Sequence, residues 1–179
     1  NVCSDKHSLK SIGHQGYNMH RYKITIEYDG QHFNGWQKQP EHIEIASGKK
    51  TIQEEIENAL QTFTQQNISI YGSGRTDAVV HATGQVAHFD IDEKYGTRTI
   101  ADALNFYLPK NKIAIVSCQQ VANDFHARFS ATQRIYRYLI LNRRGFATFQ
   151  KNLVWHIKKE LSIEKMQSAA SAFIGTHDF

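Results

Sequence analysis

The stretch Gly72-Ser73-Gly74-Arg75-Thr76-Asp77 is the part of the sequence whose residue types best suit chemistry. Two glycines let the backbone turn tightly, and a cation and a carboxylate follow them. The stretch is not a dinucleotide-binding fingerprint, because the third glycine of that motif is missing. On residue types alone, the simpler interpretation is a turn with solvated Arg75 and Asp77 side chains, and the alternative is a catalytic loop.

A second feature is a basic stretch in which arginines are interleaved with aromatic rings. Its members are Arg128, Phe129, Arg134, Tyr136, Arg137, Tyr138, Arg143 and Arg144. Arginines contact phosphates in a bidentate manner, and aromatic rings stack on unpaired bases. In a strand, Arg134, Tyr136 and Tyr138 would share one face, because side chains alternate. An RNA-facing surface and a solvated strand with structural tyrosines explain this stretch equally well.

Several enzyme and membrane classes do not fit the sequence. No Gly-x-Ser-x-Gly elbow, P-loop or HExxH pair occurs, and Cys3 and Cys118 do not make a disulfide framework or a zinc site. We therefore interpret His81, His88 and His126 as surface or core residues rather than metal ligands. No apolar run approaches the ~20 residues of a membrane span. The low cysteine content is typical of a reducing cytosol, and a net charge of +4 favours anionic partners only mildly.

The elements that must position these residues follow a β-α-β-β-α-β order. Alternating runs predict strands, and capped amphipathic runs predict helices. The predicted strands are 22–28, 68–72, 85–91 and 113–121, and the predicted helices begin at Thr51 and Thr99. This order predicts an α+β, ferredoxin-like fold whose helices cover one face of an antiparallel sheet and leave the other face for a ligand. Beyond it, the sequence predicts strands at 134–142 and 152–157 and a helix at 163–174.

Eight segments of the sequence, taken in order, resemble the tRNA pseudouridine synthase A (TruA) family. They are Tyr28-Asp29-Gly30 with Phe33-Asn34-Gly35-Trp36-Gln37, Thr51-Ile52-Gln53-Glu54, Gly74-Arg75-Thr76-Asp77-Ala78-Val79-Val80-His81-Ala82, Gln85-Val86-Ala87-His88-Phe89-Asp90, Ala103-Leu104-Asn105 with Leu108-Pro109, Asp124-Phe125-His126-Ala127-Arg128-Phe129-Ser130-Ala131, Arg134-Ile135-Tyr136-Arg137-Tyr138 and Gly175-Thr176-His177-Asp178-Phe179. Any one segment is a weak signal, but the ordered set is highly specific and covers residues 22–179.

The resemblance implies a pseudouridine synthase fold and an isomerase that converts uridine to pseudouridine at positions 38–40 of the tRNA anticodon arm. It also implies that no metal or organic cofactor is needed and that the protein works on tRNA as a homodimer. We therefore expect a cytoplasmic protein whose partner is tRNA rather than DNA or a membrane. Asp77 matches the family's catalytic aspartate, Tyr136 matches the tyrosine that stacks on the target uracil, and Arg75 matches an RNA-contacting arginine. The basic stretch adds Arg128 and Arg134 as substrate-binding candidates.

Two departures from the family pattern affect the expected site. Val79 stands where the family usually has a glycine, and because valine resists a positive φ, we expect the loop after Asp77 to differ in shape. The family also continues into a second half that supplies a basic partner for the catalytic carboxylate. We therefore expect a disordered N-terminal extension at 1–18, a ferredoxin-like subdomain carrying the catalytic loop at 19–121, and a truncated second half at 122–179.

Two other functions compete with this interpretation. A non-catalytic, ferredoxin-like RNA-binding module would use the same open sheet face, but an RNP1-like run of glycine and aromatic residues is missing from the sequence. A glycoside-cleaving hydrolase needs a second carboxylate opposite Asp77, for which Asp90 and Asp92 are the candidates.

Overall fold

The first four strands that the structure describes form one antiparallel sheet. The structure is a computed structural model that describes residues 19–39 and 48–178. The strands are β1 (His20–Tyr28), β2 (Tyr71–Gly72), β3 (Ala82–Ile91) and β4 (Ile113–Val121). They lie in the order β2-β3-β1-β4, and β1 pairs antiparallel with both β3 and β4. This is the sheet of a ferredoxin-like fold, so the predicted α+β class is confirmed.

Two helices provide the other layer of this fold, and both follow the predicted order. Helix α1 (Ile52–Thr64) begins after Thr51, whose hydroxyl accepts a hydrogen bond from the Glu54 amide at 3.2 Å. Helix α2 (Thr97–Tyr107) begins two residues before the predicted Thr99, and it ends ahead of Pro109, which cannot continue a helix.

The core lies between the sheet and these helices. Alternate residues of β1 are buried, because successive side chains of a strand point to opposite faces. The buried apolar residues of strands and helices include Tyr22, Ile24, Ile26, Tyr28, Ile52, Ile56, Leu60, Phe89, Ile91, Ile100 and Leu104. The helices thereby bury one sheet face and leave the opposite face for the segment that follows β4.

That segment, residues 122–130, lies against the opposite face of the sheet. Arg21 donates from Nη1 to the carbonyl oxygens of Asn123 and Phe125 at 2.6 and 2.8 Å. The Ala127 amide donates to Nδ1 of His88 at 3.2 Å, which leaves His88 only 2% exposed. The face that the sequence left open for a ligand is therefore partly covered by the chain itself.

Residues 133–178 form a second compact unit after Thr132. It contains the parallel strands β5 (Ile140–Asn142) and β6 (Trp155–Ile157), followed by helix α3 (Ile163–Ala170). A 3₁₀ turn (Ser171–Phe173) takes the place of the predicted last helical turn. The predicted strand at 134–142 is wrong for residues 134–139, because only Ile140–Asn142 pairs with another strand among the residues described.

The predicted division of the chain at 19–121 and 122–179 stays a prediction, and the extension at 1–18 lies outside the described residues. Residues 40–47 also lie outside them. Among the helices described, none combines the length and apolar character that crossing a membrane requires.

Candidate active site

The loop that carries Arg75 and Asp77 joins the edge strand β2 to β3. Its glycine-rich beginning is fastened to β3 by the side chain of Gln85. The Ser73 hydroxyl donates to Gln85 Oε1 at 2.8 Å, and Gln85 Nε2 donates to the Gly74 carbonyl at 2.7 Å. These bonds hold the entry to the loop in place just before its two charged residues.

An open cavity of about 330 Å³ lies beside this loop, and Arg75 and Asp77 both line it. Its other lining residues are Asn34, Gln37, Gln39, Thr76 and Ala78. The Asp77 side chain is exposed, so a ligand in the cavity has access to the carboxylate. A guanidinium and several side-chain amides around a carboxylate suit a polar, anionic ligand, because they supply many hydrogen-bond donors.

Sequence reasoning did not name Asn34, Gln37 and Gln39 as site residues. They lie in the segment between β1 and α1, more than thirty residues before Asp77 in the chain. The signal that could have found Asn34 and Gln37 was the Phe33–Gln37 segment, which is one of the segments that resemble the family. Gln39 lies two residues beyond that segment and carried no such signal.

The same segment supports the Asp77 loop through two glycines that allow close backbone approach. A Cβ on Gly30 would lie 2.1 Å from the Val80 carbonyl oxygen, and one on Gly35 would lie 2.7 Å from the Thr76 carbonyl oxygen. Gly35 also has a φ of +81°, which side chains rarely adopt. The loop is therefore packed backbone against backbone on both sides of Asp77.

Asp77 begins a tight turn in which the Val80 amide donates to the Asp77 carbonyl at 3.3 Å. Val79 occupies the third position of this turn with a φ of 64°. Type II turns need a positive φ at that position and favour glycine there. Val79 therefore adopts the left-handed conformation that we expected a valine to resist, and the contacts around the loop must offset the strain.

Arg128 belongs to the first unit and lies at the end of the segment that covers the sheet. Its side chain is exposed, and its amide donates to Nδ1 of His126 at 3.2 Å. It is not among the described residues that line the cavity with Arg75 and Asp77.

Arg134 and Tyr136 belong to the second unit, where both side chains are exposed. They lie in residues 133–139, which form no strand, so the expected sharing of one strand face does not apply. The candidate catalytic residue Asp77 and the candidate stacking residue Tyr136 thus lie in different units.

The two carboxylates considered for a hydrolase are engaged in structural contacts. Arg21 donates from Nε and Nη2 to the two oxygens of Asp90, each at 2.7 Å. This hydrogen bonding lowers the pKa of Asp90 below its usual value, although partial burial opposes the shift. Asp92 accepts a hydrogen bond from Gln66. Because neither carboxylate lines the cavity, the arrangement disfavours glycoside hydrolysis.

The histidines weighed as metal ligands take part in packing and polar contacts instead. Nδ1 of His81 lies 3.1 Å from Oδ1 of Asp29, and Nδ1 of His88 accepts the Ala127 amide. Burial lowers the pKa of His88 below its usual value. Within residues 19–39 and 48–178, no three His, Cys, Asp or Glu side chains are grouped to hold a metal ion.

Comparison with known proteins gives the same family as the ordered segments. Residues 24–130 match the family model described as tRNA pseudouridine synthase. Three relatives named tRNA pseudouridine synthase A are 45% identical over 89% of the chain in Anaplasma phagocytophilum, 44% over 90% in Caulobacter sp. (strain K31) and 46% over 89% in Ehrlichia chaffeensis. The chain spans 63, 62 and 62% of these relatives' lengths. The chain therefore belongs to the tRNA pseudouridine synthase family.

Proposed function

We propose that the protein isomerises uridine to pseudouridine in tRNA, at positions 38–40 of the anticodon arm, with Asp77 as the catalytic carboxylate. The observation that carries the proposal is the exposed Asp77 carboxylate, which lines an open cavity together with Arg75 and three side-chain amides. Membership of the family supports the reaction type, and the names of the curated relatives support tRNA as the substrate.

The reaction needs few groups, because its product contains the same atoms as its substrate. The bond between ribose C1′ and uracil N1 breaks, the base turns, a C1′–C5 bond forms, and the C5 proton leaves as N1 gains one. Asp77 acts as the nucleophile or base that assists bond breaking. The balance requires no oxidant, reductant or co-substrate, in agreement with the expectation of no cofactor.

Binding of the substrate rests on stacking and charge. The target uridine must leave the helical stack, at a cost of roughly a few kcal/mol. We assign Tyr136 to stacking on the uracil, and Arg75, Arg128 and Arg134 to contacts with the tRNA backbone. Phosphate contacts release counterions, so tRNA affinity should fall steeply between low and moderate salt. An affinity that stays flat with salt, or is equal for duplex DNA, would contradict this assignment.

The test is release of tritium from C5 of uracil in labelled tRNA by the intact protein. Asp77→Asn removes the charge at nearly constant size, so it should abolish release while tRNA affinity persists. Asp102→Asn is the matched control, because Asp102 is an exposed aspartate on α2 outside the cavity. Wild-type rates in Asp77→Asn would reject Asp77 as the catalytic residue. A wild-type protein that binds tRNA without releasing tritium would support a non-catalytic RNA-binding module.

As part of this proposal, the homodimer is carried over from the resemblance, and the cytoplasmic location rests on the low cysteine content. Light scattering at rising protein concentration tests the dimer, and a mass that stays at the monomer value would contradict it.

A further inference from the structure

The orientation of Asp77 depends on its backbone. Its side chain makes no hydrogen bond or ion pair with the residues that the structure describes. The turn that follows is strained at Val79, whose φ is 64°. Neither the carboxylate nor the turn therefore holds itself in place, and contacts from outside the loop must fix the direction in which Asp77 points.

The residue directly before Asp77 receives three such contacts. The Trp36 amide donates to the Thr76 carbonyl at 2.9 Å. Gly35 packs so closely that an added Cβ would lie 2.7 Å from the same oxygen. The third contact is a hydrogen bond of 2.7 Å between the hydroxyls of Tyr28 and Thr76. Of the three contacts, it is the one between two side chains.

Tyr28 is well suited to serve as a fixed point. It is the last residue of β1, its side chain is 3% exposed, and its ring centroid lies 6.2 Å from that of Trp36. Trp36 in turn packs on Gly72, where an added Cβ would lie 2.7 Å from the indole. A rigid ring buried in the core leaves the Tyr28 hydroxyl little freedom to move.

We propose that Tyr28 is a positioning residue for the isomerisation, in a role that rests on the proposed function of Asp77. Its hydroxyl holds Thr76, and Thr76 sets the direction of the adjacent Asp77 towards the bound uridine. Tyr28 itself does not touch the substrate. Loss of the hydroxyl should therefore slow the chemical step and leave tRNA binding unchanged.

The sequence offers a matched control on the same strand. Tyr22 is also buried on β1, and its hydroxyl donates to the Tyr95 carbonyl at 2.8 Å, away from the Asp77 loop. Tyr28→Phe and Tyr22→Phe each remove one buried hydroxyl together with its hydrogen bonding, which for Tyr22 also includes a bond accepted from the Tyr95 amide at 3.1 Å. Both variants should lose a similar amount of thermal stability, so stability alone does not separate them.

The experiment compares tritium release, KM and tRNA affinity of the two variants in the intact protein. Tyr28→Phe should lower kcat about tenfold or more, the size expected for a misplaced catalytic group, with KM and tRNA affinity within about twofold of wild type. Tyr22→Phe should keep the wild-type kcat. Thr76→Val should lower kcat to the same extent, and the double variant should be no slower than either single variant. Equal kcat values for Tyr28→Phe and Tyr22→Phe, or additive losses, would overturn the inference.

Hydrogen exchange separates failure of this inference from failure of the proposed function. If the wild-type protein releases no tritium, the proposed function is rejected, and exchange of the Trp36 and Val80 amides decides on Tyr28. Both amides bond to the loop carbonyls that flank the site, at Thr76 and Asp77. Faster exchange of these amides in Tyr28→Phe than in Tyr22→Phe would support the inference that the Tyr28 hydroxyl restrains the loop. Equal exchange in the two variants would overturn that inference.

Discussion

The two units of the chain use their apolar side chains differently. In the described residues of the first unit, strands and helices bury a connected core, and the Asp77 loop is packed against the backbone of the segment between β1 and α1. In the described residues 133–178, no side chain is buried, and even large apolar residues are exposed: Phe149 is 98% exposed and Trp155 is 64% exposed. Both units thus contain helices and strands, but only the first unit stabilises them by burying apolar side chains within itself.

This difference matters for the proposed site. In the first unit, hydrogen bonds from Gln85 and Trp36 hold Gly74 and Thr76, the residues directly before Arg75 and Asp77. The second unit carries Arg134 and Tyr136 on residues without a strand or a buried side chain to fix them. The loop that carries Asp77 is therefore held by contacts within the first unit, whereas Arg134 and Tyr136 have no comparable support among the residues described.

The two tryptophans give the largest contrast. Trp36 is 2% exposed and Trp155 is 64% exposed. Trp36→Ala should lower the free energy of unfolding by about 3–5 kcal/mol, because it leaves a cavity in a packed core. Trp155→Ala should change it by about 0.5 kcal/mol or less, since it removes few buried contacts. Chemical denaturation measures both, and equal losses would show that the units are stabilised alike.

Two glycines extend the contrast to the backbone. Gly35 has a φ of +81° and no room for a Cβ, whereas the nearest atom to an added Cβ on Gly145 would lie 4.0 Å away. Gly35→Ala should cost about 1–3 kcal/mol from backbone strain. It should also reduce tritium release, because Thr76 and Asp77 must shift. Gly145→Ala should be near neutral in both assays. A neutral Gly35→Ala would mean that the Asp77 loop is not clamped by this segment.

The first unit could be predicted further from its sequence than the second. Alternation predicted β1, and Thr51 predicted the start of α1, because local patterns and burial within the unit agree there. The same alternation failed at 134–139, because a strand also requires a paired neighbour, which no local pattern supplies. Asn34, Gln37 and Gln39 escaped prediction for a related reason: a loop has no period from which side-chain directions follow.

Acid should weaken the first unit through His88. Burial is the main cause of its lowered pKa, and the charges of Arg21 and His126 lower it further. A histidine in an unfolded chain has a pKa of about 6.5, so below that pH the unfolded state binds more protons than the folded state. The contribution of neutral, buried His88 to the free energy of unfolding is therefore complete above about pH 6.5. It is lost as the pH falls from there through the lower pKa that His88 has in the folded state.

The free energy of unfolding measured between pH 7 and pH 5 checks this sign. His88→Gln should remove part of the dependence on pH. His156→Gln in the second unit should keep it, because it leaves His88 in place. A slope that is identical in the wild-type protein and in His88→Gln would show that His88 does not titrate on unfolding.

The smallest expected effect concerns two residues with a positive φ, one in each unit. Val79 has a φ of 64° and Asn152 has a φ of 67°. A left-handed conformation costs a side chain of the valine type about 1–2 kcal/mol, whereas asparagine tolerates it. Glycine relieves that strain but loses about 0.5–1 kcal/mol more backbone entropy on folding. Val79→Gly should therefore raise the free energy of unfolding by about 0.5–1 kcal/mol, since strain relief exceeds the entropy cost. Asn152→Gly should bring no gain, because little strain is present to relieve. If Val79→Gly instead destabilises the protein as a glycine in an ordinary conformation would, the turn after Asp77 does not carry the strain that its φ indicates.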